Sequence, residues 1–413
     1  MANAVKTVSM IAKEATMILE NNLVMAKQVH RGYDEEYARN PNGYKIGSTI
    51  TIRKPTDFTV RDGATASNQD VTEGSTTIVV NKQKGIDFQF TSQELALEMN
   101  QLSERVIKPA MIQLANQIDK DVMSLYASVP SWVGTPGQKI NSYADFSVGP
   151  ERLDEFAVPQ DERSAVLSPA DHWGLLGSQT ALYIQDAAKG AYRSASLGMI
   201  GGVDTYMAQN VPTHTVGVAT GTPLVNGASQ NVTYDSVKDS YTQTLNTDGW
   251  TNSTTGILKA GDIITIDGVY AVNPVTKEVK PFLRQFVVTA DANSGASTGP
   301  AALTISPPII TSGAFQTCSG APADNAAITV LGTGGSGYRQ NMIFHKNAFA
   351  LVTVPMEAPQ GAVNVSRQSY KGINVRLVPY YDGTNDISKW RLDVLYGVKA
   401  IDPRLATRIS GTA

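Results

Sequence analysis

The 413-residue chain predicts an α+β fold built from discontinuous pieces, on three observations. A helical period runs through the N-terminal segment and again through Thr91 to Ala127. The C-terminal end instead alternates apolar and polar residues, most clearly at Trp390, Leu392, Val394, Tyr396, Val398 and Ala400. Between about Gly217 and Gly337 the composition shifts to Thr, Ser, Gly, Asn and Val, with short strand signals and many turns. No useful helical period appears there, so the span reads as an inserted all-β barrel or sandwich.

In chain order, Val5, Val8, Ile11, Ala12, Ala15, Ile18 and Leu19 mark an amphipathic helix ending near Asn21–Asn22. An isolated helix of this length is marginal, so its apolar face must find another surface, in this chain or a neighbour. Tyr44 to Glu94 reads as a long two-stranded arm. Strand signals at Thr49–Ile52 and Thr76–Val80 flank a polar span from Thr56 to Gly74, and Ile86, Phe88 and Phe90 alternate after a turn expected at Lys84-Gly85. Such an arm holds little core of its own and needs something to rest on.

The clearest helix is the spine. Thr91 and Glu94 have capping-box spacing, and Pro109 is expected to interrupt the helix. Beyond it, Met111, Leu114, Ala115, Ile118, Val122, Leu125 and Tyr126 form one apolar stripe, with Gln113, Gln117, Asp119, Lys120 and Asp121 expected to face away. At about 1.5 Å per residue, Pro109 to Ala127 reaches roughly 28 Å. Asp145 to Arg163 then holds a short helix, Ala165–Leu167 a strand, and Pro169 to Trp173 a helix start with Pro and Asp in its first turn. Inside the insertion, Gly261–Val269, Arg284–Ala290 and Ala302–Ser306 are the clearest strands. Afterwards come Asn341–His345, Ala348–Pro355, the alternation of Ile373, Val375 and Leu377, and the closing strand before Asp402-Pro403.

Composition narrows the function. A formal charge of −3 gives no case for nucleic-acid binding through the whole surface. Charged residues make up 17%, against about 25% for ordinary globular chains, which fits a surface given over to protein contacts. Cys318 is the single cysteine, which excludes an internal disulfide framework and a cysteine-rich metal site. No apolar run is long enough to span a membrane, and the N-terminus lacks a signal-peptide block, so the expected site of synthesis and assembly is the reducing cytoplasm.

Catalytic signals are weak. His30, His172, His214 and His345 are the only histidines, and no two sit at metal-ligand spacing. Asp171-His172 reads as packing near a helix start rather than as part of a hydrolytic site. No nucleophile elbow, zinc-protease, P-loop or dinucleotide motif is present. Gly332–Gly337 lacks the lysine of a phosphate loop and reads as the flexible exit from the insertion. Asp382-Gly383-Thr384-Asn385-Asp386 reads as a hairpin turn rather than a cation loop. The expectation is no enzyme, no cofactor and no metal.

Four phrases, in this order and spacing, carry a resemblance: Val79-Val80 through Phe88-Gln89-Phe90 into LANQIDKDVMSLYA; IGGVDTYMAQNVPTHTVG; NMIFHKNAFALVTVPM; and WRLDVLYGVKAIDPRLATRI. Over nearly its whole length the chain resembles the major capsid (coat) proteins of tailed bacteriophages with the Hong Kong 97 fold. Specifically, it is similar to the coat protein of the short-tailed Salmonella temperate phage group, which carries an inserted barrel. The resemblance implies an N-terminal arm at 1–43, an extended loop at 44–90 and a peripheral domain at 91–131 and 371–413. It further implies an axial domain at 132–215 and 338–370 and the barrel at 216–337. It also implies hexamers and pentamers of self in an icosahedral shell, a scaffolding protein during assembly, a portal protein at one vertex, and enclosed double-stranded DNA without sequence-specific binding. Arg53, Lys54, Asp57 and Arg61 on the arm are the candidate inter-subunit contacts. The competing classes are a hydrolase with a β-rich binding insertion and another virion component, a portal or tail tube.

Overall fold

The computed structural model describes residues 3–32, 49–61, 63–65, 68–91, 106–179, 197–359, 361 and 364–413. The chain divides into two compact units. One comprises Met1–Ile50, Thr77–Met123 and Phe349–Lys399, and the other Thr51–Thr76, Ser124–Ala348 and Ala400–Ala413.

In the first unit, the N-terminal helix Asn3–Asn22 buries Ile11, Ala12, Ala15 and Leu19 and leaves Met10 and Met17 exposed. It packs on the spine helix Lys108–Met123 and on strands Ser366–Tyr370 and Ile373–Asp382. The spine buries Met111, Leu114, Ala115, Ile118 and Val122 of the predicted stripe, with Met123 beside them, while the stripe's Leu125 and Tyr126 are only half-buried beyond the helix end. Its α-helical part ends at Met123, and a 3₁₀ turn, Ser124–Ser128, follows. Pro109 sits where a π-helical turn at Val106 and Ile107 passes into the α-helix, a local irregularity that accommodates its missing N–H. The expected helix start at Thr91 and Glu94 lies at and beyond the edge of the described residues, with Thr91 closing a strand.

Asp119 departs from expectation. It is buried on the apolar face, where its two carboxylate oxygens accept from Val24 N–H at 2.7 Å and Ala26 N–H at 2.9 Å. Those are free donors at the start of the short turn Met25–Gln28, which the carboxylate caps from another part of the chain. Asp121 faces outward but not to open water, accepting from Tyr396 Oη at 2.6 Å and lying 3.3 Å from Lys82 Nζ.

The sheet of this unit has the order Phe349–Val354, Ile387–Ala400, Ile373–Asp382, Ser366–Tyr370, with Lys82–Thr91 also paired to Ile387–Ala400. The Asp382–Asp386 stretch is the hairpin turn, with Asp382 opposite Ile387. Lys82–Thr91 runs antiparallel along the closing strand for ten residues, Thr91 opposite Ile387 and Lys82 opposite Tyr396. It therefore belongs to this sheet and not to the arm, and Lys84-Gly85 is mid-strand instead of a turn. The glycine is needed because a Cβ there would meet Asp393 Oδ1 at 2.5 Å and Leu392 O at 2.6 Å.

The second unit holds two six-stranded sheets. The mixed sheet has the order Trp132–Val133, Ala406–Ile409, Asn341–His345, Arg163–Leu167, Val203–Met207, Met199–Ile200. Helix Tyr143–Glu155 lies against it, opened by a capping box between Ser142 and Asp145. Phe146, Leu153, Leu167, Ile343 and Ile409 share its core. The other sheet is antiparallel throughout, in the order Ile328–Val330, Ile263–Val272, Val279–Val288, Ala301–Ser306, Gln243–Trp250, Gly221–Val225. Its two edge strands come together at one seam. Leu224 bridges Ala327, and Val225 N–H donates to Ala326 O at 3.0 Å. Trp250, Leu245, Ile264, Phe286 and Leu303 fill the interior, and Cys318 is buried among them.

These groupings differ from the expected partition in two places. Phe349–Val354 pairs with the long closing strand, not with the mixed sheet, and Ala406–Ile409 lies in the mixed sheet beside Asn341–His345. Backbone pairing decides both, because each strand satisfies its ladder where its register finds a free edge. The glycine run is also more ordered than expected. Gly335 N–H donates to the carbonyls of Val216 and Gly217, each at 3.1 Å, and Val216 N–H donates to Ser336 O at 3.1 Å. Beside it, Gly337–Arg339 pairs antiparallel with Thr213–Thr215, so the incoming and outgoing chain form a two-stranded neck.

Candidate assembly surface

Residues 54–74 carry the arm. Its base is a two-stranded sheet, Thr49–Arg53 with Ser75–Val79, and beyond it there is no strand pairing among the described residues. Lys54 N–H donates to Gly74 O at 2.8 Å, closing the arm at its root. The root is then tied to the turn Lys238–Tyr241. Ser75 donates from its backbone N–H and its hydroxyl to Asp239 Oδ1, both at 2.8 Å, and these bonds hold the Asp239 carboxyl below its ordinary range. Gly74 permits the approach, since a Cβ would come within 2.5 Å of Lys238 O.

The four predicted contact residues separate here. Lys54 Nζ donates to Lys238 O at 3.2 Å and lies 5.4 Å from the centre of the Tyr241 ring. Asp57 lies 3.6 Å from Arg404, whose guanidinium also holds Asp402 in a two-pronged pair at 2.9 and 2.8 Å. Burial would lift the Asp402 carboxyl, but the charge and hydrogen bonds of Arg404 more than offset it and hold it low. Arg61 donates to Gly63 O and Thr65 O, curling onto its own loop. Arg53 is the most open, pairing with Glu73 at 3.4 Å while 83% exposed. Lys54 and Asp57 thus fasten the arm within its own chain.

What the arm offers outward is apolar. Phe58 is 56%, Val71 65% and Val60 100% exposed. The polar reading of Thr56 to Gly74 passed over them, although Phe58-Thr59-Val60 has the alternation of a strand awaiting a partner. Gln69 steadies the bend by accepting from Thr59 N–H at 2.9 Å and donating to Thr59 O at 2.6 Å.

Asp171 spends its carboxylate on Ile140 N–H at 3.0 Å, Ser168 Oγ at 2.5 Å and Asn341 Nδ2 at 2.9 Å. A constellation invisible in the sequence is Tyr126–His214–Asp262. His214 Nε2 lies 2.7 Å from Asp262 Oδ1, and its Nδ1 lies 3.0 Å from Tyr126 Oη. The carboxylate only accepts, so Nε2 carries the proton, and in the neutral ring Nδ1 accepts from the phenol. The other Asp262 oxygen accepts from Gly217 N–H at 3.0 Å and Lys259 N–H at 2.7 Å, so this chain braces the neck of the insertion. No group of three or more potential metal ligands occurs, and no helix is long and apolar enough to cross a membrane, among the described residues.

The family model described as P22 coat protein, gene protein 5, matches residues 1–411. The chain belongs to the P22 coat protein family. It is a major coat protein of a tailed bacteriophage, and the arm, neck and paired sheets described above are parts of a structural protein. The coat protein is 22% identical over 406 residues to the major capsid protein of Acyrthosiphon pisum secondary endosymbiont phage 1, across 95% of this chain and 94% of that one. Among solved structures it is similar to a chain from Mycobacterium phage Che8, at 12% identity and a TM-score of 0.48, covering 94% of this chain and 90% of that one. It is also similar to one from the mature capsid of bacteriophage PhiM1, at 11% identity and a TM-score of 0.42, covering 88% and 82%.

Proposed function

We propose that the coat protein self-assembles as hexamers and pentamers into an icosahedral shell, with a scaffolding protein as assembly partner and a portal protein at one vertex. The shell forms as a procapsid in the host cytoplasm, expands during packaging and encloses double-stranded DNA without reading its sequence. The observation that carries this reading is the arm. It is fastened at its root by Ser75–Asp239, Lys54 and Asp57–Arg404, yet it presents Phe58, Val60 and Val71 to solvent. Apolar side chains held outward on a segment without a core gain stability only when another surface covers them.

On this reading the fold is of the Hong Kong 97 type, as in the short-tailed Salmonella phage branch. Residues 1–43 are the N-terminal arm and 44–90 the extended loop, though only the stretch before Lys82 is free of the main sheet. Residues 91–131 and 371–413 form the peripheral domain, and 132–215 and 338–370 the axial domain, with Phe349–Val354 and Ala406–Ile409 each lending a strand to the other's sheet. Residues 216–337 form an inserted barrel, a reading supported by the seam at Leu224 and Ala327 and by the neck beneath it. Arg53, Lys54, Asp57 and Arg61 are the candidate inter-subunit contacts, with Arg53 the most open of them. The near-neutral net charge suits a wall around DNA.

The test is Val60→Asp. The side chain is fully exposed within one chain, so the monomer keeps its unfolding midpoint, while shell formation measured by sedimentation is lost. Normal shell yield from Val60→Asp would contradict the covering role of the arm.

A further inference from the structure

Where helix Tyr143–Glu155 meets strand Val279–Val288, two arginines and two phenylalanines cross. Arg152, on the helix, stacks its guanidinium carbon 3.7 Å from the centre of the Phe282 ring. Arg284, on the strand, lies 4.8 Å from the centre of the Phe156 ring. The two rings meet edge to face at 6.0 Å. Stacking covers the flat faces of both guanidiniums but supplies no acceptor for their N–H groups.

Neither arginine forms an ion pair among the described residues. Arg284 is 6% exposed, and its Nε is buried without a hydrogen-bond partner. The nearby carboxylates pair elsewhere, Asp154 with Arg163 at 2.7 Å and Asp402 and Asp57 with Arg404, while Glu155 lies 2.8 Å from Lys280 and also acts on Arg152 from beyond ion-pair distance. Glu151 acts on Arg152 only from beyond ion-pair distance. Burial, then the charge of Arg284, pushes Arg152 down to about 10, and burial also lowers Arg284. Arginine side chains keep their charge in proteins. Two cations therefore share one corner with no carboxylate at ion-pair distance from either among the described residues, and for the buried Arg284 this is costly unless something supplies a partner.

Both line one cavity, with Phe156 and three prolines as apolar walls and with Ser131, Gln285 and the Asp402-paired Arg404 also at its edge. The cavity volume is about 20 Å³. That is room for one occupant the size of a water molecule. A water would provide an acceptor but no charge.

We propose that this cavity is a binding site for a small monovalent inorganic anion of the halide class, held between the guanidiniums of Arg152 and Arg284. The anion completes the joint between the inserted sheet and helix Tyr143–Glu155, so occupancy stabilises the fold without any part in chemistry.

The probe is bromide, used on the full-length monomer. Crystals grown in bromide are expected to give an anomalous peak between the two guanidiniums. The thermal unfolding midpoint is expected to rise saturably with bromide or chloride, at constant ionic strength, and not with gluconate, which is too large for the cavity. Arg284→Met removes the peak and the halide-specific rise. Should that variant fail to fold, Arg152→Met is read in the same way. A bromide-free cavity, equal midpoints in halide and gluconate, or a neighbouring subunit's carboxylate occupying the site in assembled shells would each overturn the proposal.

Discussion

The side-chain amide of Gln285 grips the backbone of Trp132 from both sides. Its Oε1 accepts from Trp132 N–H and its Nε2 donates to Trp132 C=O, each at 2.8 Å. Trp132 lies in the edge strand of the mixed sheet, so the amide takes the place of a missing strand and joins the β insertion to that sheet. Replacing Gln285 with Ala leaves a donor and an acceptor on a residue only 2% exposed. The expected loss is about 1–3 kcal/mol. Urea unfolding of the monomer measures it, and an unchanged midpoint would show that water substitutes freely for the amide.

A second prediction concerns Asp393, which is 2% exposed and pairs with Arg376 at 2.6 Å and Arg391 at 2.8 Å. Asp393→Ala strands the Arg376 guanidinium, whose Nε already has no partner, and should cost roughly 3–5 kcal/mol. Arg391 is 47% exposed, so Arg391→Ala should cost about 1 kcal/mol or less. Comparable losses from the two variants would contradict this ranking.

Gly85 faces the same carboxylate across the strand pair. Gly85→Ala forces its Cβ against Asp393 Oδ1 and the Leu392 carbonyl, and the backbone partner cannot swing away. The strands must separate locally, at an expected cost of about 1–3 kcal/mol. Amide hydrogen exchange along Lys82–Thr91 should speed up in this variant, and unaltered protection would show that the ladder tolerates the methyl.

Much of this was legible in the sequence and some was not, for identifiable reasons. The spine stripe from Met111 to Val122 and the long closing strand follow from local period, which a one-dimensional pattern records. Asp119 could not be placed that way, because the donors that justify its burial lie 95 and 93 residues away. Tyr126, His214 and Asp262 are likewise separated by 88 and 48 residues and share no spacing. Lys84-Gly85 has the composition of a turn, and only the register opposite Asp393 explains the glycine. Of the arm, the charges attracted notice, while Phe58, Val60 and Val71 had no core pattern to mark them.

Asp119 also gives a pH dependence. Burial, only partly offset by the Val24 and Ala26 N–H groups, raises its carboxyl from the ordinary 3.8 to about 6. The folded chain then holds this proton more tightly than the unfolded chain does. The contribution is full below about pH 4 and is lost as pH rises through 6, amounting to roughly 3 kcal/mol. Asp119→Asn cannot titrate and should lack that part of the slope. Urea midpoints between pH 4 and 6.5 compare the two proteins, and parallel curves would remove Asp119 as the source.

The most direct test of shell formation is electron microscopy of the full-length protein, purified with and without a candidate scaffolding protein. Closed particles of uniform size, built from hexamers and pentamers, are the predicted result. Monomers under both conditions, or rings with one fixed subunit number, would contradict it.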